Sequence, residues 1–567
     1  MQKKKVCAAA LASIMAMSAF AACNKGGSSG GIKEFDAFFA VGANNEINAE
    51  NDIQKVIAEK TGVKVNEKWL VGQTDKEAIG MLTASGDYPD FINGGDAMKE
   101  LYNAKALVAW DEYLDSGKYP NIKEFFNAYE WAQFKQDDGH IYWCNPFENI
   151  YGADKSTTQN GEAFWIQARV LEWAGYPQIK TLDQYFDTIE KYNAANPKTP
   201  EGADNIPYTI LCEDWRYFCL ENAPQFLDGY PNDGSCMVDK ATHKIVDYNT
   251  TPTAKRYFQK LNDEYKKGIV DPESFTQSYD DYITKLSSGR VLGMVDQWWD
   301  FAFTINDVFK TKDTEKYGYN YIPLGITIDE SVPENQWYTS GGTVNTSSGI
   351  AITKNCKDVE GAFKFIDDLL SQEIHDLRFW GIKDVDYKVG DDGLYYRTPE
   401  MRAQAATPQY KASHLCAYSY FPQWSGTSRD GKNAMMPGDQ PSEFRETLPD
   451  PVKKVFDAYG ANTYLDIMGS VNKAGAWFPM YSHSNNMSTK TEGGTAWNKM
   501  GEVKHAQLPL VVQAEDFDAA WNTYQEEYAK AKPELFVKEM QEELDRRIAM
   551  AKEYGVDPDV YGQAATK

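Results

Sequence analysis

The sequence predicts a two-lobed α/β protein, and three observations carry the prediction. The 567-residue length leaves room for roughly two to four domains with cores of their own. The chain opens with strand and helix signals in strict alternation, as an open α/β sheet does. Further helix and buried-strand patterns follow between residues 252 and 371.

Residues 34–42, EFDAFFAVG, read as a first strand, followed by a polar loop and a helix near 49–60. Val63 to Glu67 alternates like a second strand. Ala78 to Ser85 reads as a helix, stopped by Gly86-Asp87-Tyr88-Pro89, and Asp90-Phe91-Ile92 begins a third strand. Helices are predicted near 97–104 and 110–115, then over 163–174, 182–193, 252–267 and 280–287. Val291 to Val295 and Gly349 to Ile352 read as buried strands, the latter followed by a helix over 358–371. Phe517 to Tyr554 is helical, with one break at Pro533.

Composition narrows the function classes. An apolar fraction of 42% with ordinary Gly, Pro and Cys excludes collagen-like, disulfide-knot and disordered chains. Mean hydropathy is −0.57, and no run after residue 31 approaches the roughly 20 apolar residues of a spanning helix. The 83 acidic against 58 basic side chains argue against nucleic-acid binding. No G-x-S-x-G, Walker A, G-x-G-x-x-G or H-E-x-x-H motif occurs, and the six histidines lack zinc-ligand spacing. A surface glycoside hydrolase would need only two positioned carboxylates, which counting does not exclude. No catalytic residue and no cofactor is assigned.

Lys3, Lys4 and Lys5 precede a small and apolar stretch from Val6 to Ala22, the pattern of an export signal over residues 1–22. It ends in Phe20-Ala21-Ala22-Cys23, which resembles a bacterial lipobox and makes Cys23 the expected lipidation site. Residues 23–31 then form a Gly/Ser tether. Such a chain is expected on the extracellular face of the cell membrane, anchored by lipid. Loss of the leader leaves 55 basic against 83 acidic side chains, a charge of −28. Six cysteines remain in the body; Cys212 with Cys219 or Cys236 is the expected pair if one forms, and free buried thiols are the alternative.

Several stretches together resemble the extracellular solute-binding lipoproteins of ABC importers, in the family 1 sugar- and oligosaccharide-binding group and its large Gram-positive subgroup. They are LTASGDYPDF at 82–91 with Leu107 to Asp111, Asp138-Gly139-His140-Ile141-Tyr142 leading to Pro146, and residues 165–193 with Arg169. The GIAIT strand through Trp380 to Tyr387 and the Phe517…Trp521…Arg547 run complete the series. The resemblance covers nearly the whole mature chain. It implies a type II periplasmic-binding-protein-like fold, each lobe a mixed sheet flanked by helices, with a hinge between lobes. Lobe 1 is expected over 32–150 and about 318–372, and lobe 2 over about 151–317 and 373–567. Implied partners are an oligosaccharide ligand and the permease subunits, with the chain itself a monomer. Some relatives carry a calcium loop where this chain has NPKTPEGADNIP at 196–207; its oxygens are sparse, so that metal site is expected to be lost.

Sugar rings present apolar faces and a hydroxyl rim, so aromatics beside acids at the carboxyl ends of strands are the candidate ligand groups. Asp296-Gln297-Trp298-Trp299-Asp300 fits best, a buried strand delivering two tryptophans between two aspartates. Trp215, Arg216 and Tyr217 form a similar group. Trp424 and Trp477 lie in loops rich in Gly and Pro, and Asp87 and Asp90 lie at a strand–helix turn. Trp69, Trp110, Trp131, Trp173 and Trp521 fall on helix or strand patterns and are expected in the core. The acidic body favours a neutral oligosaccharide; a peptide fits the same residue types.

Overall fold

The structure, a computed structural model, describes residues 31–41, 51–147, 149–231, 233–340, 344–414, 417–469, 472–473 and 475–559. The export signal, Cys23 and Cys416 lie outside the described residues.

Two mixed sheets organise the chain. The first runs in the order Val63–Trp69, Lys33–Phe39, Phe91–Asn93, Ile350–Ile352, Trp143–Cys144. Its first three strands are mutually parallel, and Ile350–Ile352 is antiparallel to both neighbours. The second runs Tyr321–Leu324, Glu162–Gln167, Val291–Gln297, Ile206–Tyr208. Each sheet has its own hydrophobic core. Phe39, Phe91, Trp110 and Phe363 typify the first; Trp165, Tyr185, Phe258 and Trp521 typify the second.

Most elements stand where the residue pattern puts them. Thr74 caps the Asp75–Ser85 helix by a capping box with Glu77, and Gly86 ends it in the left-handed conformation at φ 71°. The C-terminal helices, Phe517–Lys530 and Pro533–Glu553, are divided at Pro533 as expected. One element differs. The expected helix over 163–174 is a strand, Glu162–Gln167, running into a short helix, Ala168–Trp173. That strand lies between two partners and is buried on both faces, so its side chains carry no alternation to distinguish it from a buried helix.

Strand pairing also moves the expected lobe boundaries. Tyr321–Leu324 pairs with Glu162–Gln167, so the chain is still in the second sheet at residue 324 rather than leaving it at 318. Leu377, Tyr418, Phe421, Trp424 and Met435 belong to the core of the first sheet, so the stretch after 373 packs with lobe 1 before returning at Phe444 to lobe 2. Cys144, Cys212, Cys219, Cys236 and Cys356 are free and buried. Among the described residues no helix is long and apolar enough to cross a membrane.

Candidate functional site

The Val291–Gln297 strand passes directly into the Trp298–Thr311 helix, with Gln297 as the extended N-cap. Trp298 and Trp299 therefore occupy the first two helical positions, at the carboxyl end of a sheet strand. The Trp298 N–H, which has no partner within its helix, donates to the Gly161 carbonyl at 3.2 Å. Asp300 follows in the first turn, where the helix dipole favours a carboxylate.

Beside this turn stands the 214–217 segment. Asp214 takes φ 52°, a left-handed conformation that Asp tolerates better than bulkier residues, and this throws Trp215 outward. Trp215 is 53% exposed and Trp299 39%, and their rings stack at 5.7 Å between centroids with planes 12° apart. Phe218 stacks on the other ring contact of Trp215 at 5.9 Å. The Trp299 indole N–H donates to Gln297 Oε1 at 2.7 Å, which fixes its edge.

Arg216 ties the two segments together. Its Nε donates to both Asp300 carboxylate oxygens, at 3.0 and 3.1 Å. Its guanidinium carbon lies 4.3 Å from the Trp215 ring centre and 3.9 Å from that of Tyr279. Tyr279 in turn donates its hydroxyl to the Asp300 carbonyl at 2.6 Å. Burial raises the Asp300 carboxyl above the usual range, and Arg216 opposes that shift.

Asp296 is fully buried and faces inward, accepting from the Tyr282 hydroxyl at 2.7 Å and the Cys219 thiol at 3.4 Å. Burial, then the Asp300 charge, raises its pKa well above the ordinary value. It supports the turn from beneath and does not reach the surface. Trp298 is half-buried against Trp165, Phe301 and Tyr464. Tyr217 turns aside, stacking on His505 at 3.7 Å. The structure thus gathers Asp296, Trp298, Trp299, Asp300, Trp215 and Arg216, and exposes only the two tryptophans of the platform.

The other sequence candidates do not join it. Trp424 is buried against Phe125 and Tyr151, and Trp477 is buried beside Phe478, because the Gly- and Pro-rich loops fold inward over both cores. Asp87 and Asp90 lie at the amino end of the Phe91 strand, opposite the end where open sheets bind ligands. Asp90 accepts from the Asp36 N–H at 2.9 Å, and the Asp87 N–H donates to Ser85 Oγ at 3.3 Å, so both serve the turn.

Sequence reasoning missed several residues here. Phe303, 59% exposed, follows Trp299 by four residues and continues the same helix face; that spacing was the available signal. Tyr279 carried no signal, since only tertiary packing brings it to Arg216. At the carboxyl end of Val63–Trp69, Trp69 is half-buried rather than core, with Phe39 stacked at 4.7 Å and Tyr420 edge-on at 4.7 Å. Phe147 meets Tyr420 at 5.1 Å and extends this second aromatic group. Trp173, also expected in the core, is 46% exposed; Trp110, Trp131 and Trp521 are buried as expected.

Among the described residues no cluster of three or more His, Cys, Asp or Glu side chains is placed to hold a metal ion. In the 196–207 loop, Asp204 pairs with Lys198 at 2.9 Å and Asn205 Oδ1 accepts from Arg169 at 3.1 Å. Glu201 accepts from the Tyr319 hydroxyl at 3.1 Å. Three of the loop's four candidate side chains, Glu201, Asp204 and Asn205, thus engage the protein's own donors.

Two sheets with aromatic groups at their strand carboxyl ends define a two-lobed solute-binding architecture. Residues 53–377 match the family model of bacterial extracellular solute-binding proteins, and the chain belongs to that family. It is a binding protein and not an enzyme. The fructooligosaccharide ABC transporter substrate-binding protein FusA of Streptococcus pneumoniae is 26% identical over 253 residues, 42% of this chain and 44% of that relative. The chain thus aligns with less than half the length of that curated relative. Among solved structures, a FusA EF-hand mutant of S. pneumoniae bound to fructo-nystose superposes with TM-score 0.62 at 17% identity, over 91% of this chain and all of that one. An HMO-binding, ABC-transporter-associated solute-binding protein of Bifidobacterium longum infantis gives 0.58 at 15% identity, over 91% and 99%.

Proposed function

We propose that this protein is the substrate-binding component of an ABC importer, capturing a neutral oligosaccharide between its lobes and presenting it to a membrane permease. In this reading the chain is exported, cleaved before Cys23 and held on the outer face by lipid at that residue. The observation that carries the carbohydrate assignment is the exposed, stacked Trp215–Trp299 pair at a strand carboxyl end. Flat indole faces suit the CH faces of sugar rings. Phe303, one helical turn beyond Trp299, lengthens the platform past a single ring and favours an oligomer over a monosaccharide.

Neutrality follows from charge. The guanidinium nearest the platform is committed to Asp300, and the mature chain carries −28. A polyanionic glycan would meet that field, with the nearest guanidinium already paired to a carboxylate. The relative named for fructooligosaccharides makes kestose the first ligand to try. Closure on a ligand that touches both lobes would follow from its higher affinity for the closed state.

Intrinsic fluorescence is the direct test, because two of the 15 tryptophans form the platform. Titration with kestose, other neutral oligosaccharides, uronate oligomers and peptides is expected to give a saturable change with neutral oligosaccharides only. A response confined to peptides would overturn the carbohydrate reading. Hydrolysis products in the same mixtures would contradict transport binding.

A further inference from the structure

We infer that Arg216 is a positioning residue, holding the Trp215 indole in the ligand-receiving orientation without touching ligand itself. Trp215 is held by ring contacts with Trp299 and Phe218 and by the Arg216 guanidinium. Its backbone follows a left-handed Asp214, and none of the residues 214–217 is buried. An indole that is 53% exposed has no core to fix its rotamer. Beyond those ring contacts, the planar guanidinium adds the one tie to a buried anchor: it lies against both the Trp215 and Tyr279 rings while its Nε engages both Asp300 oxygens.

Asp300 is an adequate anchor. Its side chain is 3% exposed and sits in the first turn of the same helix that carries Trp299. Arg216 therefore refers the position of one platform tryptophan to the backbone that positions the other. Further support for the segment comes from the Tyr279 N–H, donated to Glu213 Oε2 at 2.6 Å one residue upstream, and from Tyr217, stacked on His505 at 3.7 Å. A lysine would not reproduce this. Its ammonium is a compact, hydrated point charge, and it cannot lie flat between two rings while bonding a carboxylate.

The consequence for ligand selection is that Arg216 contributes shape rather than charge. Replacing it should weaken a neutral oligosaccharide, although no charge complementarity is lost. The affinity arm of this inference rests on the platform being the oligosaccharide site; the orientation arm does not.

The experiment uses the mature protein labelled with 5-fluorotryptophan, with the Trp215 resonance assigned by its absence in W215F. In R216K and in D300A, the Trp215 resonance is expected to leave its stacked position and move toward that of solvent-exposed indole. The other tryptophan resonances and the far-UV circular dichroism should stay unchanged. Kestose affinity in R216K should fall about tenfold, as expected for loss of one aromatic contact, and should match that of W215A. D300A removes both acceptor oxygens, breaks the same link from the helix side and keeps the test decisive if R216K folds poorly. A Trp215 resonance unmoved in both variants would overturn the inference. So would a displaced resonance with wild-type kestose affinity in a protein whose W299A variant binds weakly. If no variant and no wild-type protein responds to any saccharide, the carbohydrate reading fails, and the resonance still decides whether Arg216 sets the orientation of Trp215.

Discussion

At the scale of single residues, tryptophans divide by what lies behind the ring. Trp424 packs among Phe125, Tyr151 and the rest of the first core, so Trp424→Ala should cost about 3–5 kcal/mol in urea unfolding and leave kestose affinity unchanged in what still folds. Trp299→Ala should do the reverse. Its ring is partly in water, so stability should hold while affinity falls by about 1–1.5 kcal/mol, roughly tenfold, in a fluorescence titration. The contrast explains what was legible in the sequence. The two adjacent tryptophans after a buried strand announce themselves, because a strand that ends on aromatics must deliver at least one to the surface. Trp424 and Trp477 misled, because loop composition reports backbone freedom and not which way a loop folds. Trp69 misled in the other direction: alternation identified its strand, but it sits at the strand's last residue, where the sheet stops covering it. Arg216 and Tyr279 are 63 residues apart in sequence and meet only through packing, which local pattern does not encode.

At the scale of elements, amphipathic helices with caps were legible almost to the residue, as was the edge strand Val63–Trp69, whereas the short edge strands Trp143–Cys144 and Tyr321–Leu324 carry too few residues to show a pattern. Among the central strands one was misread. Glu162–Gln167 reads as a helix for want of alternation, whereas Val291–Gln297 is recognisable through its β-branched residues and Gly293. That glycine is required by close packing. A Cβ there would collide with the Tyr185 hydroxyl and stand 2.8 Å from Ile189 Cδ1 and 3.0 Å from the Trp165 carbonyl oxygen. Tyr185 is fully buried and bonded to that same carbonyl at 2.7 Å, so it has nowhere to move. Gly293→Ala should therefore destabilise lobe 2 by about 2–3 kcal/mol, measurable as a lower urea midpoint with an unchanged slope. The Pro408–His414 helix carries a pH dependence of its own. Burial disfavours the His414 cation, but its bond to Asp386 at 2.7 Å and the charges of Asp386 and Asp52 outweigh that and raise its pKa above 6.5. Tyr410 donates to the other Asp386 oxygen and completes the cluster. A raised folded-state pKa means that the stabilisation is complete below 6.5 and is lost as pH rises through the folded value. The stability difference between wild type and His414→Gln should accordingly be largest on the acid side and shrink as pH rises, in thermal melts across a pH series.

At the scale of the whole molecule, the proposed closure would draw on contacts that join the two lobes. The stretch after residue 373 packs on the first core, so the Pro408–His414 helix travels with lobe 1. Asn51 Nδ2 donates to the Ala412 carbonyl at 3.1 Å and holds it there. From that helix Lys411 reaches Asp307 at 3.8 Å, on the lobe 2 helix that begins with the platform tryptophans. Trp299, Phe303 and Asp307 recur every fourth residue, so the aromatic face and the ion pair lie along one side of the same helix. The pair bridges the lobes at the far end of the face proposed to hold ligand. Both partners remain partly exposed, which limits their interaction to about 0.5–1 kcal/mol and makes it sensitive to salt over a Debye length of about 8 Å. Because the contact spans the lobes, that energy should appear in ligand affinity and not in the unfolding of either lobe. Asp307→Lys should weaken kestose binding roughly two- to fivefold at low ionic strength. Lys411→Asp should do the same, and the double reversal should recover most of the loss, since the pair is restored with its signs exchanged. High salt should erase the differences among all four proteins. Equal losses that add in the double variant would mean that the two side chains act separately, and that the lobes do not communicate through this contact.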